Sequence, residues 1–252
     1  MLRLSHEDRR NVQELQAELG AGDAVTTARW HELDQAQRRL AIALDVAHRP
    51  ANLLESFALI RDSYDSQPLV GPRWWFHLIG LRHGAAHVLL TTPQGWFVAQ
   101  RRARDKDDAP GALDVSVSGH TGVDDAHEAA WREMSEELGL SRARPDSVDE
   151  PDISGNALTF LWTYDAEDVA RANENPPFVN RERRWVYSAA LTARGLGRMR
   201  FADSEVTSLV LLGAADLQAL ARRCIAREVS TAGEFDLAPG IMDTLPRWLG
   251  RA

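Results

Sequence analysis

Glu133, Glu136 and Glu137 crowd into one short part of SGHTGVDDAHEAAWREMSEELGL, residues 118–140. A helix turns about 100° per residue, so positions three and four apart share a face. On that spacing Trp131, Met134 and Leu138 form an apolar stripe, and the three glutamates gather on the opposite side. Two chemistries are open to such a face. It can be the solvated side of an ordinary amphipathic helix. Alternatively it can hold a hard divalent cation. Like charges at this spacing cost roughly 0.2–0.5 kcal/mol per pair on an isolated helix, and a cation offsets that repulsion. Mg²⁺ suits the task because it takes oxygen ligands octahedrally and keeps waters and substrate phosphates in its shell.

The elements that must position this face can be read from the apolar pattern. LDVSVSG (113–119) reads as a strand that leads through a glycine-containing loop into the acidic helix, so backbone carbonyls come beside the glutamates. AAHVLLTT (85–92) and WFVAQRR (96–102) read as strands around a Pro93-Gln94-Gly95 turn, and WWFHLIGL (74–81) as one more. Further strands are predicted at 157–164, 184–192 and 206–212, and helices at 214–227 and 240–249. Before Pro72 the pattern is helical. Ser5 and Asp8 cap a first helix that Gly20 ends. Trp30, Leu33, Leu40 and Leu44 stripe a second, stopped before Pro50, and Leu54, Phe57, Leu59 and Ile60 suit a third. The predicted organisation is a small helical N-terminal domain, 1–72, then an α/β domain with a mixed sheet and C-terminal helices, 73–252.

Composition bounds the function classes. A chain of 252 residues with 44% hydrophobic and 26% charged residues is that of a soluble globular protein. A net charge of −8 argues against nucleic acid as the main partner, and the nearly balanced charges of the first 50 residues give the N-terminal helices no electrostatic support for binding DNA. Those helices are expected to cap a substrate cleft or to make a homodimer contact. No apolar run approaches the ~20 residues that span a bilayer, and the first residues lack the apolar core of a signal peptide, so no membrane partner is expected. With Cys224 the single cysteine there is no internal disulfide, and a reducing cytoplasm is expected.

REMSEELGL (132–140) matches the second half of the Nudix box, arginine-glutamate-aliphatic-x-glutamate-glutamate-x-glycine-aliphatic, at every defined position. HGAAHVLL…QRRARDK…PGALDVSVSGH has the layout of the branch that includes isopentenyl-diphosphate isomerase. Over roughly residues 80–215 the chain therefore resembles the Nudix hydrolase superfamily. The resemblance implies an α/β/α sandwich around a mixed sheet, and an enzyme that uses Mg²⁺ or Mn²⁺ to cleave a diphosphate bond in a small phosphorylated substrate, such as a nucleoside diphosphate linked to X. It implies that Glu136 and Glu137 ligate the cation, with Glu133 a third ligand or the base that deprotonates water. Arg132 would hold Glu133, and the Ser118 carbonyl would face the metal. Glu182 would be a further acidic ligand. Arg102 and Lys106 would hold the diphosphate, Arg by paired bonds and Lys as a point charge, and His83 and His120 would join them in binding the substrate.

The pattern is broken in two places. Only four residues separate Gly119 from Asp124, so the loop is one residue short, and Val123 stands where glycine is usual. Two other readings compete with the hydrolase. In the isomerase reading His83, His120 and Glu182 match metal-site positions, but Ser118 stands where those enzymes carry cysteine. In the other, the domain is a catalytically silent ligand sensor. Among the remaining residues, His83, His87 and His120 are either a transition-metal cluster or buried hydrogen-bonded histidines. Trp74, Trp75 and Phe76 either stack on a base or anchor a strand, and Glu205 either supports the site from a loop or lies on the surface.

Overall fold

A computed structural model of the protein describes residues 3–19, 25–61, 68–106, 109–144, 146–171, 175–201, 204–226 and 236–250. Gly20, the expected end of the first helix, lies outside them. The chain forms two compact units. The first comprises residues 1–85, 120–124 and 164–184, and the second 86–119, 125–163 and 185–252. The first thus extends past residue 72, the boundary expected from sequence.

In the first unit, α1 (His6–Leu19) and α2 (Thr27–Ala43) follow the expected helical stripes. Thr26 caps α2 by accepting from the Arg29 amide. Residues 54–60 do not make a third helix. A single 3₁₀ turn, Ala51–Leu54, gives way to β1 (Ser56–Ala58), which pairs with β2 (Val70–Pro72) in an antiparallel ribbon. Phe57 is the inward residue of β1 and packs edge-on to Phe76 at 5.7 Å.

The WWFHLI run is the second correction. It is α3 (Arg73–Ile79), not a strand. Trp74 through Ile79 are all buried, so the run has no polar face and neither helical nor strand periodicity could show. Its flanks decide the matter: Pro72 is the N-cap residue, and Gly80 ends the helix at φ 70°, the left-handed region where glycine carries no Cβ penalty. The aromatic run is core. Trp75 and Phe76 are within 1% of complete burial, and Trp30 lies 6.0 Å from Phe76. Gln16 donates to the Leu78 carbonyl at 2.7 Å, which ties α1 to α3.

The seven-stranded sheet contains β3 (Arg82–Thr91), β4 (Phe97–Arg102), β5 (Leu113–Asp114), β6 (Val117–His120), β7 (Thr159–Arg171), β8 (Phe178–Ala190) and β9 (Val206–Leu212). Their order is β5-β4-β3-β8-β7, with β6 paired to β3 and β9 to β4. The expected 113–119 strand is split at Ser116, whose hydroxyl donates to the Val98 carbonyl and accepts from the Leu90 amide. Side chains alternate across a strand. Within the second unit Ala86, Val88, Leu90 and Val98 join one core with Ala130, Met134 and Leu138 of α4 (Ala126–Leu138). The intervening His87 and Phe97 meet Thr244 and Trp248 of α7 (Pro239–Leu249) on the other face. Helices thus cover both faces of this part of the sheet, which is why β3 is buried from Ala86 to Leu90. The short α5 (Ala193–Arg198) and α6 (Ala214–Ala226) complete the set, and the fold is the α/β/α sandwich implied by the family resemblance. Among the described residues no helix is long and apolar enough to cross a membrane.

Gly80→Ala should destabilise the protein by about 1–2 kcal/mol, because a left-handed alanine is strained and its Cβ would sit 3.1 Å from Val179. Urea titration monitored by tryptophan fluorescence measures the change, and an unchanged midpoint would refute the assignment of this helix end.

Candidate functional site

The acidic helix α4 starts at Asp125, whose carboxylate accepts from the His127 and Glu128 amides at 2.9 and 3.0 Å. It ends at Gly139, again left-handed at φ 67°. Asp124 lies just before the cap. It sits in the preceding turn, its amide donating to the Thr121 carbonyl.

The glutamates do not share one solvated face. Glu133 and Glu137 are four residues apart and point inward, at 8% and 2% exposure, whereas the Glu136 side chain is about half exposed. Glu137 accepts from the Ser118 amide at 3.4 Å. Glu133 lies flush on Gly119, where any Cβ would overlap its carboxylate. A glycine at the end of β6 is therefore what admits this carboxylate. Arg132 bridges the inner and outer glutamates, 2.7 Å from Glu133 and 3.1 Å from Glu136. Burial pushes the Glu133 carboxyl up to about 7; Arg132 opposes the shift, and the charges of Glu136 and Glu205 add to it. The donors are all oxygens, two of the carboxylates are withdrawn from water, and their charges repel. That set fits a hard divalent cation.

Of the expected phosphate-binding residues, Arg102 at the end of β4 donates from Nη1 to Asp114 Oδ2 at 3.3 Å. Lys106 forms an ion pair with Glu205, which is thereby a member of this polar group and not a bare surface residue. Asp114 was not anticipated. The only signal for it in the sequence is a charged residue inside the apolar LDV run.

In the first unit the structure brings His83 and His120 together with His77, with one ligand atom from each within 4.8 Å of the others. His87, the third candidate from sequence, instead lies 3.3 Å from the Thr244 hydroxyl in the second unit. His77 was hidden because its run reads as a strand. Glu182 Oε1 is 3.3 Å from His120 Nε2 and 4.0 Å from His83 Nε2, while Oε2 accepts from Arg184 at 2.6 Å. Phe57 stacks on His83 at 4.7 Å and Phe178 on His77 at 4.5 Å. Burial lowers the pKa of all three histidines. His77 lies well below the usual imidazole range and His120 is brought to about 3. Burial acts to raise Glu182, but Arg184 and His120 hold it well below the carboxylate range. Three neutral imidazoles beside one carboxylate are a donor set suited to a borderline transition metal.

These values set an acid limit on stability. The folded histidines titrate below their unfolded value of about 6.5, so below that pH the unfolded chain binds more protons. Their contribution is complete above about pH 6.5 and is lost progressively as the pH falls below it. Urea titrations in EDTA should therefore show stability falling from pH 6.5 to 5, each such histidine contributing up to about 1.4 kcal/mol per pH unit and Glu133, raised to about 7, offsetting about one such share. His77→Phe should flatten that slope. A profile equally steep in the variant would contradict the assignment.

No family model matches the chain. In sequence it is similar to Nudix hydrolase 3 of Arabidopsis thaliana, 37% identical over 90 residues, covering 34% of this chain and 11% of the relative. It is similar to the uncharacterized Nudix hydrolase YfcD of Escherichia coli (strain K12), 39% identical over 62 residues, covering 24% of this chain and 34% of the relative. The chain therefore spans only a tenth to a third of the length of these relatives. Among solved structures it is similar to DR0079 from Deinococcus radiodurans (20% identity, TM-score 0.42, 66% of this chain and 81% of that one). It is also similar to the Nudix domain of Shewanella oneidensis NrtR complexed with ADP ribose (12% identity, TM-score 0.41, 66% and 86%).

Proposed function

We propose that this chain, a homologue of Nudix hydrolases, is a Mg²⁺-dependent hydrolase of a diphosphate linkage in a nucleoside-diphosphate-X or related organic diphosphate. One observation carries the reading: Glu133 and Glu137 are buried against the Ser118–Gly119 strand end, where a merely solvated helix face would leave them in water.

Glu133, Glu136 and Glu137, with the Ser118 carbonyl, would hold Mg²⁺ or Mn²⁺. When bound, such an ion neutralises phosphate charge and lowers the pKa of a coordinated water. Glu133, if not a third ligand, would be the base that accepts a proton from attacking water. Arg132 fixes the orientation of that carboxylate. Arg102 and Lys106 supply positive charge for the diphosphate oxygens. Glu182 is proposed as an acidic ligand beside His77, His83 and His120, where His83 and His120 can alternatively donate to substrate.

The test is a screen of the purified protein with Mg²⁺ and Mn²⁺ against organic diphosphates, products being identified by mass spectrometry. On the substrate found, Glu136→Gln and Glu137→Gln should each lower turnover by orders of magnitude, because cation assistance contributes several kcal/mol in the transition state. Melting temperature should barely change for the exposed Glu136. Asp125→Asn, which keeps a good cap, should leave turnover intact. Wild-type rates in both glutamine variants would return the helix to the solvated reading.

The histidine group keeps the isomerase alternative testable, although Ser118 has a hydroxyl where an acidic thiol is needed. Wild-type protein and Ser118→Cys should both leave isopentenyl diphosphate unchanged. Dimethylallyl diphosphate formed by the wild type would replace the hydrolase reading.

A further inference from the structure

Asp114 is 3% exposed and carries more polar contacts than its two-residue strand requires. Its Oδ1 accepts from the Val115 amide at 2.9 Å. Its Oδ2 faces two groups at once, Arg102 Nη1 at 3.3 Å and Ser118 Oγ at 3.4 Å. Ser118 in turn donates its amide to Glu137. Arg102, Asp114, Ser118 and Glu137 thus form one connected path from the end of β4 to the acidic helix.

The far side of Asp114 is closed by the C-terminal segment. Leu113 donates to the Asp236 carbonyl at 2.8 Å and accepts from the Ala238 amide at 2.9 Å, so the segment that leads into α7 is pinned to β5. Gly240 in the first turn of α7 then comes so near that a Cβ there would lie 2.6 Å from Asp114 Oδ1 and 3.2 Å from the His87 ring. Gly240 has ordinary backbone angles, so what the position demands is space. A charge-assisted bond from a buried carboxylate fixes the direction of a guanidinium, which otherwise samples many rotamers.

We infer that Asp114 is a positioning residue: seated under the first turn of α7, its carboxylate aims Arg102 at a substrate phosphate and ties it to the strand end beside Glu137. The inference rests on the hydrolase reading for the role of Arg102. A purely structural Asp114 would stabilise the sheet without affecting anion binding through Arg102.

The experiment is calorimetric titration of inorganic pyrophosphate, with Mg²⁺ present, into the full chain and into Asp114→Asn, Arg102→Ala, the double variant and Gly240→Ala. Asp114→Asn should weaken pyrophosphate about tenfold and add nothing further in the Arg102→Ala background, since the two act as one unit. Gly240→Ala, which displaces the carboxylate, should reproduce the loss of affinity while the variant stays folded, its helix-propensity gain offsetting part of the cost of the overlap. It carries the same test if Asp114→Asn does not fold. Unchanged affinity in Gly240→Ala, or equal losses from Asp114→Asn with and without Arg102, would overturn the inference while the hydrolase reading stands. Wild-type protein that binds no pyrophosphate would overturn the hydrolase reading, and the inference with it.

Discussion

The second unit is organised around two carboxylates that have left water. An ionised carboxylate inside a protein costs several kcal/mol unless a partner compensates it. Glu133 and Glu137 sit one helical turn apart on the inner face of α4, and the charge of Glu136 adds to the burden on Glu133. The surroundings answer with local devices of limited strength. Arg132 reaches one inner and one outer glutamate, the Ser118 amide reaches Glu137, and Gly119 gives Glu133 room to lie against the strand. The rise of the Glu133 carboxyl to about 7 shows that these devices leave the charge undercompensated. A cation held there, as proposed, would offset that imbalance.

The rest of the unit keeps α4 seated. Because β3 and β4 are covered on both faces, their buried side chains alternate between α4 and α7. A displacement of either helix would therefore open a cavity on its own face of the sheet, and close-packed cores resist that strongly. Several polar side chains of this interior are tied by partners: Ser116 serves two neighbouring strands, His87 reaches Thr244, and Asp114 serves Arg102 and Ser118.

Much of this was legible in the sequence, for identifiable reasons. The strands at 85–92, 96–102 and 206–212 and the helices after 213 announce themselves by apolar runs between turn residues, as at Pro93-Gln94-Gly95. The WWFHLI run did not, because a segment buried on all sides has no period to read, and only Pro72 and Gly80 marked its ends. The spacing of the glutamates was visible, but the direction in which they face was not. A helical wheel groups Glu133, Glu136 and Glu137, whereas packing against β6 divides them into two inside and one outside. His77 and Asp114 were invisible for a third reason. Their roles come from neighbours far along the chain, Phe178 and Gly240 among them, and local sequence does not record such contacts.

The two donor sets also differ in kind, and the difference follows from burial. The acidic set offers charged oxygens with one member in water, so a cation held there keeps part of its hydration shell, as Mg²⁺ prefers. The histidine set offers neutral nitrogens, held neutral because full burial disfavours imidazolium, and it has a single carboxylate already committed to Arg184. A magnesium ion would gain little from such nitrogens, whereas a borderline transition metal would. The residue types thus sort cations by hardness before any distance is considered, and for a diphosphate substrate, whose own donors are hard oxygens, it is the glutamate helix that matches.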